Sequence, residues 1–109
     1  MEIKQIEGTK YSVDAEGNVY GIKKRVLKGR GNGHGYLQVL LAVEPRHYVP
    51  FLVHSLVAEA FMGPKPEGTD IDHINFKRDD NRLENLRYLA SSINRARRQQ
   101  HGTKQHPSA

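Results

Sequence analysis

The spacing of apolar residues changes period near the middle of the chain, and this restricts the fold more than any other feature. From Tyr36 to Val43 apolar and other residues alternate so that Leu37, Val39, Leu41 and Val43 share one face of an extended strand. A turn around Glu44-Pro45-Arg46 leads into a second strand, His47 to Leu52, and the two form a β-hairpin. Val53, Leu56, Val57, Ala60 and Phe61 then fall at i, i+3, i+4, i+7 and i+8, the stripe of an amphipathic helix. Gly63 followed by Pro64 ends that helix, because glycine tolerates the left-handed cap and proline cannot continue the ladder.

Shorter signals flank this unit. Tyr11-Ser12-Val13 and Asn18 to Ile22 are β-prone and are separated by the turn-forming Glu16-Gly17-Asn18. Lys28 to Gly35 holds four glycines, which deny it regular structure and make it a flexible basic loop. It is not a phosphate-binding P-loop, since no Gly-Lys-Ser/Thr ending precedes a helix. Beyond the stiff connector Pro64 to Gly68, Thr69 to Ile74 reads as a strand, Asn75 to Asn81 as a polar loop and Leu86 to Leu89 as a strand. Ser91 or Ser92 can cap a helix through about Gln99. The expected organisation is one α+β domain over 1–100. Residues 1–52 form a β-rich, DNA-contacting part, 53–100 a helix plus a strand-loop-strand-helix unit, and 101–109 a flexible tail.

Seventeen Lys and Arg against twelve Asp and Glu give a formal charge of +5, so the summed field attracts polyanions; nucleic acid and plain solubility are both consistent with it. The absence of cysteine excludes disulfides, cysteine-based zinc sites and thiolate nucleophiles, and leaves His, Asp, Glu and Asn to hold any metal. No apolar run approaches the roughly 20 residues that span a bilayer, and Met1 to Lys10 lacks a signal core. A cytoplasmic protein with no membrane partner is expected, in the host cytoplasm if the gene is carried by a phage. A monomer is compatible with the sequence, which does not fix the oligomeric state.

Asp72 and His73 are adjacent, and on a strand adjacent side chains point to opposite sides. The pair suits a site where a carboxylate binds a hard cation and an imidazole stays off the metal as a base; an exposed strand-end Asp and a backbone-bonded His are the plain alternative. The run Asp72-His73-Ile74-Asn75, Asp80-Asn81-Arg82, Glu84-Asn85-Leu86-Arg87 and then Asn94 resembles the signature of the HNH nucleases. It is most similar to the phage and intron-encoded, homing-endonuclease-like branch, in which Asp replaces the first His of the name and Asn the last. Val53 to Phe61 is similar to the helix that precedes the motif in that branch, and Tyr11 to Leu41 is weakly similar to a β-rich module found before it. Phe76 departs from the pattern, standing where relatives often carry Gly.

The resemblance implies a ββα-metal fold and hydrolysis of DNA. Asp72 and Asn94 would be the two protein ligands of one divalent cation, Mg²⁺ or Mn²⁺ for such an oxygen shell, and His73 the general base. Asn85, grouped with His73 as catalytic, would tie the polar loop to the strands. His54 either bonds a phosphate or caps and solvates the start of its helix. Arg97 and Arg98, at i+3 and i+4 from Asn94, share its helical face and would reach a flanking phosphate; a solvated basic face is the alternative. Lys24, Arg25, Lys28 and Arg30, with Lys23, form a basic block that is either a second DNA arm or solvated charge. Arg82 and Arg87 read as partners of Glu84, and Tyr20 and Tyr36 as core or hairpin residues. The expected function is endonucleolytic nicking of one strand of double-stranded DNA. The rivals are a non-catalytic DNA-binding module of the same shape and an RNA-directed or toxin nuclease.

Overall fold

The computed structural model describes residues 2–105, with side chains as far as Gln100. The amino-terminal half is built of two antiparallel sheets. The first takes β1 (Ile3–Gln5), β2 (Ser12–Asp14), β3 (Val19–Tyr20) and β4 (Val26–Leu27) in sequence order, and the second takes β5 (Arg30–Gly31), β6 (Leu37–Glu44) and β7 (His47–Leu52). Helix α1 (Val53–Met62) follows β7 without a loop. The chain then forms a two-stranded ribbon, β8 (Thr69–His73) against β9 (Leu86–Ala90), and ends in helix α2 (Ser91–Gln105). The α+β class expected from the periodicity is the class observed.

Val13, Val19, Val39, Leu41, Val53, Leu56, Val57, Ala58 and Leu86 are buried together in one core with Tyr11. Helix α1 packs on β2, β6 and β7 and also on β8, β9 and the short 3₁₀ turn Leu83–Asn85. It is therefore the spine that joins the strand-rich half to the ribbon. The Tyr11 hydroxyl accepts a bond from the Ala42 backbone amide at 3.1 Å and so ties the two sheets together.

Several elements differ from what the pattern alone predicts. Strand β1 lies in a stretch without alternation and is held by pairing Ile3 with Asp14 and Gln5 with Ser12. Leu37, Val39 and Leu41 face inward, but Val43 is exposed. The β6–β7 register shifts between Ala42 and Glu44, and such a bulge turns the next side chain off the buried face. The helical backbone of α2 continues to Gln105, so the stretch expected to be frayed from 101 onward begins as helix; 106–109 lie outside the described residues. Gly63 closes α1 at φ 83°, and its amide bonds the Glu59 carbonyl.

The β2–β3 turn is organised by Asp14, which is fully buried. Its carboxylate accepts bonds from the amides of Glu16 and Asn18, the Asn18 side chain and the Tyr20 hydroxyl. Burial pushes its pKa up, but the bonds from Tyr20, Asn18 and Glu16 outweigh this and leave it below the ordinary value of 3.8. A carboxylate lowered in this way contributes stability that is present above that value and lost as pH falls through the folded-state pKa. Asp14→Ala, which strands several donors at once, should lower stability by about 2–3 kcal/mol at neutral pH. The difference from wild type should shrink in thermal melts as pH falls below 3.8.

Candidate functional site

The ribbon and α2 bring the chemistry-bearing residues of the motif together. Along β8 side chains alternate, so Asp70 and Asp72 share one side of the strand and His73 takes the other. The β8–β9 register sets Asp72 opposite Arg87 and His73 opposite Leu86. Because α2 starts directly after β9, it folds back along β8. Its residues at three-residue intervals meet the strand in turn: Ser91 and Asn94 bond Asp70, and Arg97 bonds Asp72. The Ser91 hydroxyl, expected to cap α2, donates to Asp70 Oδ1 instead. These bonds from Asn94 and Ser91 hold the Asp70 carboxyl below its usual range.

A cleft of about 740 Å³ opens where α1, β8 and α2 meet, and Asp70, Asp72, His73, Asn94, His54 and Tyr36 are among the residues that line it. Asp72, His73 and Asn94 are 4%, 6% and 3% exposed, so each is a polar group withdrawn from bulk water and needs a partner. His73 Nε2 lies 2.9 Å from Asn81 Oδ1. An amide oxygen only accepts, so Nε2 is the donor here, and in the neutral ring Nδ1 keeps the lone pair. The Tyr36 and His54 rings stand 5.9 and 5.0 Å from the His73 ring and, with the Asn81 bond, fix its orientation.

Asn94 supplies the test of whether a cation fits. Its Nδ2 donates to Asp70 Oδ2, which turns Oδ1 away, and that oxygen is buried with no hydrogen-bond partner. An unpaired buried acceptor costs about 1–3 kcal/mol. A hard cation is the partner that an amide oxygen, neighbouring carboxylates and no sulfur would suit. Among the described residues no three His, Asp or Glu side chains converge as a metal cluster, so Asp72 and Asn94 would hold such an ion sparsely.

The polar loop after β8 is held by Asn85. Its Oδ1 accepts the Asn75 amide, and its Nδ2 donates to Asn75 Oδ1 and the Asp80 carbonyl. Asp80 faces this loop; its bonds from Arg82 and Asn75 hold its carboxyl far below the usual range. Phe76 adopts φ 65°, the left-handed region in which glycine is at ease, and the Arg97 guanidinium stacks on its ring at 3.9 Å.

The charged candidates divide. Arg98 lines the cleft, whereas Arg97 turns inward to Asp72 and to the carbonyls of His73 and Ile74. Arg97 was expected to reach a flanking phosphate, but within the protein it takes these acceptors on β8 and just beyond it at Ile74. Arg87 pairs with Asp72 rather than Glu84, because the ribbon register puts them opposite each other. Lys24, Arg25, Lys28 and Arg30 are exposed on the strand-rich half and are not among the cleft-lining residues. His54, placed on the polar side of its helix by the stripe, is 7% exposed because the Tyr36 and His73 rings stand against it. Burial, and then the neighbouring His73, lower its pKa to about 4, so it is uncharged at neutral pH.

Sequence reasoning gave no role to Asn81 or Asp70 and read Tyr36 as a core or hairpin residue. Tyr36 instead lines the cleft, with the Arg78 guanidinium 5.0 Å from its ring centre. Asn81 is set from the amino-terminal half. Leu83 donates its amide to the Ala15 carbonyl, and Gly17, at φ 91°, packs so closely that a Cβ there would stand 2.9 Å from the Asn81 carbonyl oxygen. The glycine of the β2–β3 turn was the sequence signal, but it carried no indication of its neighbour.

Two antiparallel strands and a helix converge on a carboxylate, an imidazole and an amide in a ββα arrangement. Residues 51–96 match the family model of the HNH endonucleases. It is similar to DNA endonuclease I-HmuI of Bacillus phage SP01, with 35% identity over 106 residues, covering 94% of this chain and 60% of that protein. It also resembles the uncharacterized HNH endonuclease L247 of Acanthamoeba polyphaga mimivirus, at 37% identity over 92 residues, or 82% of this chain and 23% of that one. The solved structure described as "DNA binding and cleavage by the HNH homing endonuclease I-HmuI" matches with a TM-score of 0.84 at 35% identity, over 94% of this chain and 60% of the other. The chain thus spans less than two thirds of the length of these relatives. HNH nucleases generally use a divalent metal ion.

Proposed function

We propose that this chain is a metal-dependent endonuclease that hydrolyses phosphodiester bonds of double-stranded DNA and nicks one strand per event. The observation that carries the reading is the buried, unpartnered Asn94 Oδ1 in the same cleft as Asp72 and His73. Asp72 and Asn94 are the protein ligands of the ion, Mg²⁺ or Mn²⁺, and His73 is the general base. When bound, the ion supplies Lewis acidity for the charge that develops on the phosphate and leaving oxygen.

The chain's own residues do the rest. With its Nε2 proton held by Asn81, His73 presents Nδ1 to take a proton from the attacking water. His54 and Tyr36 wall the ring, and His54 is uncharged at neutral pH. Arg98 at the cleft draws in the scissile strand, and Lys24, Arg25, Lys28 and Arg30 attract the duplex from the strand-rich half. The similarity to a protein described as binding and cleaving DNA supports this reading.

Supercoiled plasmid incubated with Mg²⁺, Mn²⁺ or EDTA tests it. Open circles should appear before linear DNA, and only with metal. Binding without metal-dependent strand cleavage would reduce the chain to a DNA-binding module, and preferential cutting of RNA would move it to the other rival class.

A further inference from the structure

Asp72 carries more cationic contacts than its role as a metal ligand requires. Its Oδ2 accepts from Arg87 Nε at 2.9 Å and lies 3.2 Å from an Arg97 terminal nitrogen, while Oδ1 is 3.4 Å from Arg97 Nε. The carboxylate is 5% exposed, so these charges act on it with little solvent between them. The two arginines are held differently. Arg97 also donates to the His73 and Ile74 carbonyls and stacks on Phe76, so it braces the exit of β8. Arg87 reaches Asp72 straight across the ribbon, and its side chain is 44% exposed.

A carboxylate that already accepts charge-assisted bonds from two guanidinium groups is a poor ligand for a free divalent ion, which would lose those bonds and approach two like charges. We propose that Arg87 and Arg97 are resident counter-ions of Asp72 that compete with the divalent ion in the DNA-free protein. Arg87, whose side chain is 44% exposed, can turn to a phosphate of arriving DNA, so that the carboxylate is freed for the metal as substrate binds. Metal loading and DNA binding are then coupled, each favouring the other. This inference rests on Asp72 being a metal ligand, and it predicts the opposite sign from a purely structural role for Arg87.

Calorimetric titration of Mn²⁺ into the full DNA-free chain tests it. Arg87→Gln should bind Mn²⁺ at least about tenfold more tightly than wild type, as removal of a unit charge a few ångströms from a shielded site implies. Arg87→Lys, which keeps the charge, should stay close to wild type, and Arg87→Met serves as a second neutral variant if Arg87→Gln does not fold. Adding Asp72→Ala to the neutral variant should abolish the gain. Affinity that is unchanged or weaker in a folded neutral variant overturns the counter-ion role and leaves the ligand assignment standing. A gain that survives Asp72→Ala overturns both.

Discussion

His73→Ala is expected to lower the rate of plasmid nicking by at least roughly 10²–10⁴-fold, the usual loss when a general base is removed, while DNA affinity stays close to wild type. The ring bonds Asn81 and packs against Tyr36 and His54. Truncation therefore leaves a buried Asn81 oxygen unpaired, and the melting temperature should fall by a few degrees, as about 1 kcal/mol implies for a domain of this size. Metal-dependent nicking, DNA binding and thermal melting of the same preparation separate the two effects. Near-normal cleavage by the folded variant would remove His73 from the mechanism.

The second large effect concerns the metal. Asp72→Ala removes a ligand oxygen and also leaves Arg87 and Arg97 facing the site without their carboxylate, so the cleft becomes repulsive to any cation. Metal-dependent nicking should be abolished. Asn94→Asp keeps an oxygen in place and adds charge, but it replaces the Nδ2 that donates to Asp70 with a second carboxylate oxygen. Some activity should survive, with the metal preference or optimum concentration shifted. Magnesium and manganese titrations of nicking for wild type and both variants decide between them. Unchanged metal dependence in Asp72→Ala would show that the ligand assignment is wrong.

Much of the framework was legible in the sequence. The alternation at Leu37, Val39 and Leu41 and the stripe from Val53 to Phe61 fixed the long hairpin and α1, because backbone geometry converts side-chain spacing directly into faces. Asp72, His73 and Asn94 were grouped through the resemblance of their run to the HNH signature, and the cleft brings all three into its lining. Val43 was misplaced because a bulge belongs to the pairing of two strands, whereas alternation describes one. The length of α2 was underestimated because a polar sequence beyond Gln99 has no apolar stripe to mark it.

The sequence by itself determined which residue types the chain can offer to chemistry and which element carries each: carboxylate and imidazole on one strand, amide on the following helix. Partners were decided only by tertiary structure. Nothing local assigns Asn81 to His73, since the bond depends on the turn at Gly17 pressing on the loop from the other half of the chain. Nor does the spacing show that Arg87 and Arg97 both close on Asp72. That follows from the β8–β9 register and from α2 folding back along β8. His54 became a buried, uncharged ring for the same reason. Periodicity states which way a side chain points on its own element, but burial and electrostatics are set by what packs against that element from elsewhere.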